Sequence, residues 1–299
     1  MLQAISPKHD AHHERRRKNS LASLTAALRD DKIHLLLAAS GSVATIKLPL
    51  IIASLAERNN SSSNAANKEL SIRVLLTPSA MRFLAGQSRE QPPVSSLLSM
   101  PCVDGVYVDA DEWREPWKRG DSILHIELRR WADLLVIAPL SANTMAKIVG
   151  GFADGILTSV VRAWDAWGEL DSDVAAPDGE SSVADGTRRR RQKKKHIIVA
   201  PAMNTAMWRH PVTAKSLRVL EEEWGINRNI KQANQSTPED EAHRAEEHTQ
   251  GTASEEVEGW FEVLRPQQKT LACGDVGDGA MMEWTRIVAV IEDRLGLNE

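Results

Sequence analysis

Four short apolar runs, each stopped by small polar residues or by proline, constrain the fold of this chain more than any other feature. Lys32–Ala39 (KIHLLLAA) ends at Ser40-Gly41-Ser42, and Ile72–Leu76 ends before Thr77-Pro78. Leu134–Ala138 (LLVIA) and His196–Ala200 (HIIVA) are stopped by Pro139 and Pro201. Such runs, bounded by breakers and rich in branched residues, read as strands buried on both faces. Helical patterns lie between them. Val43–Ala56 and Ser79–Ala85 read as helices. Ala142, Met145, Ala146 and Val149 recur at helical spacing. So do Leu217, Leu220 and Trp224, with Pro211 near the start, and Ile287, Ile291 and Leu295 in the last helix. Val263–Leu264 is expected as a last short strand. Alternating strand and helix predict an α/β fold: a three-layer, Rossmann-like or flavodoxin-like parallel sheet with helices on both faces, in a single domain. Ligands of such sheets bind beyond the carboxyl ends of the strands. The chemistry is therefore sought where the four runs stop.

Much of the 299-residue chain is too polar to pack. Residues 1–32 carry histidines and a run of basic residues with no apolar core of signal length, and are expected to form a disordered arm. Within the remaining domain, 33–299, polar insertions are expected near 57–70, 167–195 and 226–259, because these stretches bury too little apolar surface to offset chain ordering. Roughly 190 residues remain, the size of one ordinary domain. No run of apolar residues is long enough to span a bilayer, which excludes a membrane protein of helical type. Two distant cysteines, Cys102 and Cys273, are too few for a disulfide framework or a cysteine-rich metal site. The net charge of −4 suggests no nucleic-acid partner. A cytoplasmic location is expected. The basic cluster 188–195 is compatible with nuclear access, with an anion-binding patch, or with a solvated loop that balances the acidic stretch before it.

Each strand end has a plain and a chemical reading. Gly41, Ser42 and Val43 form either an ordinary turn or a phosphate site on a helix N-terminus. There is no GxGxxG pattern, so a dinucleotide fingerprint is not supported. Ser141, Ala142, Asn143 and Thr144 follow Pro139-Leu140. One of these side chains suffices to cap a helix, and the others could bind a polar heterocycle or phosphate. In Pro201–Trp208 (PAMNTAMW) the methionines read as core. Asn204, directly after a buried strand, offers donors and an acceptor suited to a carboxylate or an amide. Ala272–Met281 holds three glycines in six positions, a hairpin or a mobile flap, with Cys273 at its base. His125 lies one residue off the apolar face made by Leu124, Leu128 and Trp131, where most histidines are packing residues.

Taken together, the segments from Leu124-His125-Ile126 to Asn143-Thr144, Val161–Asp165, Pro201–Trp208 and Ala272–Met281 resemble the flavin-containing cysteine decarboxylases. Pro201–Trp208 matches that family's PxMNxxMW motif without a mismatch, and Ala272–Asp275 its ACGD-type clamp. The resemblance implies an enzyme that decarboxylates 4′-phosphopantothenoylcysteine to 4′-phosphopantetheine and carbon dioxide in coenzyme A biosynthesis. It implies FMN, held between the subunits of a trimer formed by one chain or mixed with paralogues. On that pattern Gly41, Ser42, Val43, Thr77, Ser79, Ser141, Ala142, Asn143, Thr144 and Ala202 face the FMN. His125 is the catalytic histidine, Asn204 holds the substrate carboxylate, and Cys273 returns a proton. Ala272, Met281 and Arg130 are substrate-side positions, and no metal is involved. The implied route oxidises the thiol-bearing carbon to a thioaldehyde, loses carbon dioxide and re-reduces the product. A rival implication is a regulatory subunit that inhibits a protein phosphatase, in place of the enzyme or as a second role. The presence of His125, Asn204 and Cys273 together favours the enzyme. A peptide C-terminal cysteine is a second substrate class for the same chemistry.

Overall fold

A computed structural model describes residues 19–61, 68–170, 194–226, 259–270 and 276–297. The apolar runs become parallel strands. They are β1 (Ile33–Ala39), β2 (Leu70–Leu76), β3 (Val103–Val108), β4 (Leu134–Leu140), β5 (His196–Pro201) and β6 (Phe261–Val263). They form one sheet in the order β3-β2-β1-β4-β5-β6, every neighbouring pair parallel. This is the Rossmann order, and its reversal point lies between β1 and β4. A separate antiparallel pair joins β7 (Gln267–Thr270) to β8 (Val276–Ala280).

Successive residues of a strand feed opposite cores, as the two-residue period of a strand requires. Leu35 and Leu37 of β1 enter one core and Leu36 and Ala38 the other. In β4 the same split sends Leu134 and Val136 one way and Leu135 and Ile137 the other. The first core is closed by α2 (Leu48–Ser61) through Ile51, Ile52 and Leu55, and by the C-terminal helix through Ile287, Val288 and Ile291. The second is closed by α1 (Leu21–Ala26), α5 (Leu124–Trp131), α6 (Ala142–Val149) and α7 (Ile156–Arg162). These contribute Leu24, Leu128, Trp131, Met145, Ile148 and Val160. Three one-turn helices follow strands directly: α3 (Pro78–Met81), α4 (Asp109–Glu112) and α8 (Thr205–Trp208). Two longer helices complete the set, α9 (Pro211–Arg218) and α10 (Trp284–Leu295).

Several local expectations change. The helix expected over Val43–Ala56 is split into a 3₁₀ turn, Val43–Lys47, and α2. Pro49 has no N–H to donate, so the α-helical ladder starts around it, not before it. The helix expected over Ser79–Ala85 is shorter, ending at Met81. The final strand of the sheet is Phe261–Val263 rather than Val263–Leu264.

The expected N-terminal arm also contains structure. Ser20 caps α1 by accepting the Ser23 N–H at 3.1 Å, and Leu24 is fully buried. Asn19 explains why this segment docks. Its Oδ1 accepts the Val106 N–H at 3.0 Å, and its Nδ2 donates to the Val106 carbonyl. Val106 lies on β3, an edge strand with a free ladder side. One amide side chain therefore supplies both bonds that a neighbouring strand would have made, and blunts an exposed edge. The interiors of the three expected insertions, together with Ala272 and Cys273, lie outside the described residues.

Candidate functional site

The carboxyl ends of β1, β2, β4 and β5 open onto one cavity of about 830 Å³. Each of these strands is followed by a residue that caps the next helical turn and also lines the cavity. Ser42 accepts the Ala44 N–H at 3.4 Å, Thr77 accepts Ala80 at 3.3 Å, and Ser141 accepts Thr144 at 3.3 Å. Asn204 accepts Met207 at 2.8 Å through Oδ1. At Ser141 the capping and lining readings are thus both satisfied, and Ser42, Thr77 and Asn204 combine the same two roles. Capping consumes one acceptor of each side chain and turns the positive ends of the helices toward the same space.

The floor between β1 and β4 is stitched by Ser40, which is fully buried. Its Oγ donates to the Pro139 carbonyl at 3.0 Å and accepts the Ser141 N–H at 2.7 Å. Its carbonyl accepts the Thr45 hydroxyl at 3.1 Å. Gly41 stands against α3. A Cβ built there would lie 2.4 Å from Ser79 Cβ, so this close approach needs a residue without a side chain.

The other rim is the β7–β8 hairpin. Met203 N–H donates to the Gly279 carbonyl at 3.0 Å, and a Cβ on Gly279 would meet the Met203 oxygen at 2.3 Å. Arg209 grips Asp278 through Nη2 at 2.7 Å, and Gln268 donates to the same carboxylate at 2.7 Å. The Arg209 bond, helped by Gln268, holds the Asp278 carboxyl below its ordinary value. The base of the hairpin is thereby clamped beside Asn204, with buried Met281 on the cavity wall.

All ten residues expected to face a cofactor line this cavity, as do Asn204 and Met281. His125 and Arg130 are not among its lining residues. His125 lies on α5 with Nδ1 2.7 Å from Glu112 Oε1. Arg130 Nη1 donates to Glu127 Oε1 at 3.1 Å, and its carbonyl accepts Lys195 Nζ at 2.7 Å.

Sequence reasoning missed a third wall. Asp109, at the end of β3, lines the cavity with Lys47, Asp154 and Thr158. Asp109 accepts the Ile156 N–H at 3.1 Å, in effect capping α7 from another element. Burial raises its carboxyl above the ordinary value, against the opposing pull of that bond. Asp154 is held low by its hydrogen bond from Lys147. The strand-end rule would have found Asp109 if Val103–Val108, interrupted by Asp104 and Gly105, had been legible as a strand.

These features fit a flavin nucleotide. The volume falls in the range of small-molecule sites. The missing side chain at Gly41 lets backbone approach a ligand, and the capped helix starts favour an anionic phosphate. Ser141, Asn143 and Thr144 supply polar groups for a heterocycle.

The chain matches the Flavoprotein family over residues 24–296. It is 35% identical over 260 residues to a phosphopantothenoylcysteine decarboxylase of Arabidopsis thaliana, a match spanning 87% of this chain and 84% of that protein. It is also 35% identical over 272 residues to a Schizosaccharomyces pombe protein named a probable thymidylate synthase. That match spans 91% of this chain but 31% of the longer protein. Among solved structures it is similar to a PPC decarboxylase mutant complexed with pantothenoylaminoethenethiol. There the TM-score is 0.52 and the identity 33%, covering 87% of this chain and 97% of the other. With its strand-end cavity and these matches, the chain belongs to the flavoprotein family, in the group that contains the phosphopantothenoylcysteine decarboxylases.

Proposed function

We propose that this chain is an FMN-dependent decarboxylase of 4′-phosphopantothenoylcysteine. The observation that carries the proposal is Asn204. Its Oδ1 is committed to the Met207 N–H, so the side chain's remaining polar group is the amide NH₂. Its two donors suit a carboxylate, the group such a substrate must lose. Bound FMN supplies a two-electron acceptor that later returns the same electrons, so no net oxidant is consumed.

The chain's own residues then have separate duties. Ser42, Thr77, Ser141 and Thr144 hold the cofactor beyond the strand ends. Asn204 orients the substrate carboxylate, and Met281 closes the wall beside it. His125 takes a proton as the thiol-bearing carbon is oxidised, and Cys273 returns one to the product carbon. Loss of carbon dioxide is possible only after that oxidation, because a thiocarbonyl β to the carboxylate accepts the electrons left behind.

His125 lies outside the cavity of its own chain, so a second copy is needed to deliver it. A trimer, with each site shared between neighbours, meets that need. The exposed apolar side chains of Val43 and Met207 on the cavity lining support such a contact, at 46% and 47% exposure.

The test is purification of the full chain, a flavin spectrum, and carbon dioxide release from 4′-phosphopantothenoylcysteine. A yellow protein that releases carbon dioxide supports the proposal. In the same assay His125→Asn should leave the flavin oxidised in the presence of substrate, and Cys273→Ser should stop at an enethiol product. A folded protein that refuses FMN overturns the proposal, and phosphatase inhibition by such colourless material would favour a regulatory subunit.

A further inference from the structure

We propose that Glu112 is the positioning residue of His125, holding the imidazole proton on Nδ1 so that Nε2 is the atom offered to substrate. This rests on His125 being the acid–base group proposed above. Glu112 ends the one-turn helix α4, which is pinned at its start. Asp111 Oδ2 accepts the Val108 N–H at 2.9 Å, and Asp109 Oδ1 accepts the Ile156 N–H at 3.1 Å. The same turn therefore carries one acid into the cavity wall and another to the histidine.

The contact itself is short and sheltered. Glu112 Oε1 lies 2.7 Å from His125 Nδ1, and the Glu112 side chain is 6% exposed. Its second oxygen, Oε2, is buried without a hydrogen-bond partner in the structure. A carboxylate has no proton to give, so the N–H of the pair belongs to the imidazole. That assigns the neutral ring a proton on Nδ1 and a lone pair on Nε2. The His125 side chain is 20% exposed, so the ring is not sealed inside the chain.

Burying a carboxylate with one oxygen unpartnered is costly, and a purely structural tie between α4 and α5 could have been made by apolar side chains. A tie that fixes a tautomer could not, because only an acceptor selects Nδ1–H. Leu124, Leu128 and Trp131 bury the adjoining face of α5, so the backbone carrying His125 is already fixed. What remains to be set is the ring, and Glu112 sets it.

The test uses the full-length, FMN-loaded protein as wild type, Glu112→Gln, Glu112→Asp and His125→Asn. Imidazole ¹⁵N NMR of histidine-labelled protein reads the tautomer, and His125→Asn assigns the signal. Wild type should show Nδ1–H. Glu112→Gln can donate to Nδ1 as well as accept from it, so the ring should change from a single Nδ1–H form to a mixture with Nε2–H. Its kcat should fall on the order of 10²-fold, with KM within about threefold, the signature of a lost acid–base geometry. Glu112→Asp keeps the acceptor and should recover part of the rate. A wild-type tautomer in Glu112→Gln overturns the proposal, whether or not that variant is less stable. Full turnover by His125→Asn would overturn the assignment of His125 instead, and the two failures are separable because the tautomer is read without turnover.

Discussion

Ser40 Oγ accepts the backbone N–H of Ser141 at 2.7 Å across 101 positions of sequence, and this bond joins the ends of β1 and β4 where the strand order reverses. Ser141 is the cap of α6 and a wall of the cavity, so the bond sets one wall relative to the other. Ser40→Ala leaves a buried N–H without a partner. The expected loss is about 1–3 kcal/mol of stability, with weaker FMN binding, measured by urea denaturation and by flavin fluorescence titration.

Gly41→Ala should act differently. The new Cβ meets Ser79 Cβ at 2.4 Å, and both residues line the cavity. The backbone conformation at Gly41 is one that other residues adopt, so the strain is steric and local. The variant should fold with a near-native melting temperature yet bind FMN at least about tenfold more weakly, a loss of about 1.4 kcal/mol. Parallel melting curves and cofactor titrations separate these effects.

Asn204 has two functions that two substitutions can divide. Asn204→Ala removes the cap of α8 and the donor group, and should cost about 1 kcal/mol of stability as well as activity. Asn204→Asp keeps an acceptor for the Met207 N–H but replaces the amide NH₂ with a carboxylate oxygen. Its stability should stay near wild type while turnover is lost, because a substrate carboxylate would meet like charge. Normal turnover in Asn204→Asp would remove this residue from substrate recognition.

Subunit mixing tests the shared site. His125→Asn and Asn204→Asp should each be inactive alone. Co-refolded together they should regain part of the wild-type rate, because some sites then combine an intact His125 from one copy with an intact Asn204 from another. No recovery from a well-formed mixed oligomer would place both residues in a site made by one chain.

Asp109 should leave a mark on the pH dependence of stability. Its carboxyl lies above the ordinary value of 3.8 because burial disfavours the charged form. Just above that ordinary value the native chain holds this proton and the unfolded chain has lost it. Stability contributed by the group is therefore full at lower pH and declines as pH rises through the raised value. Asp109→Asn can still accept the Ile156 N–H and should flatten that decline, as seen in denaturation midpoints across the mildly acidic range.

How much of this was legible in the sequence follows from the range of the interactions. Buried strands announce themselves because both faces are apolar, and β1, β2, β4 and β5 do so. Strand β3 hides because Asp104 and Gly105 break its run. It is held partly by others, since Asn19 supplies its missing ladder bonds. The same effect put α1 inside a segment too polar to look ordered: Leu24 is buried in the core, Leu21, Ala27 and Leu28 pack against it, and the Asn19 amide ties the segment to β3.

The sequence alone determined strands β1, β2, β4 and β5 and a cap among Ser141, Asn143 and Thr144; the caps at Ser42, Thr77 and Asn204 are as local, since a cap reaches only two or three residues along its own chain, but sequence reasoning missed them as caps. Tertiary structure alone decided that these four caps face one cavity, that Asp109 and Lys47 join them, and that His125 is turned away from it and onto Glu112. Those relations depend on strand order and on which side of the sheet each crossover helix packs. No local pattern of residues encodes that geometry; it arises when buried surface is shared between elements far apart in the chain.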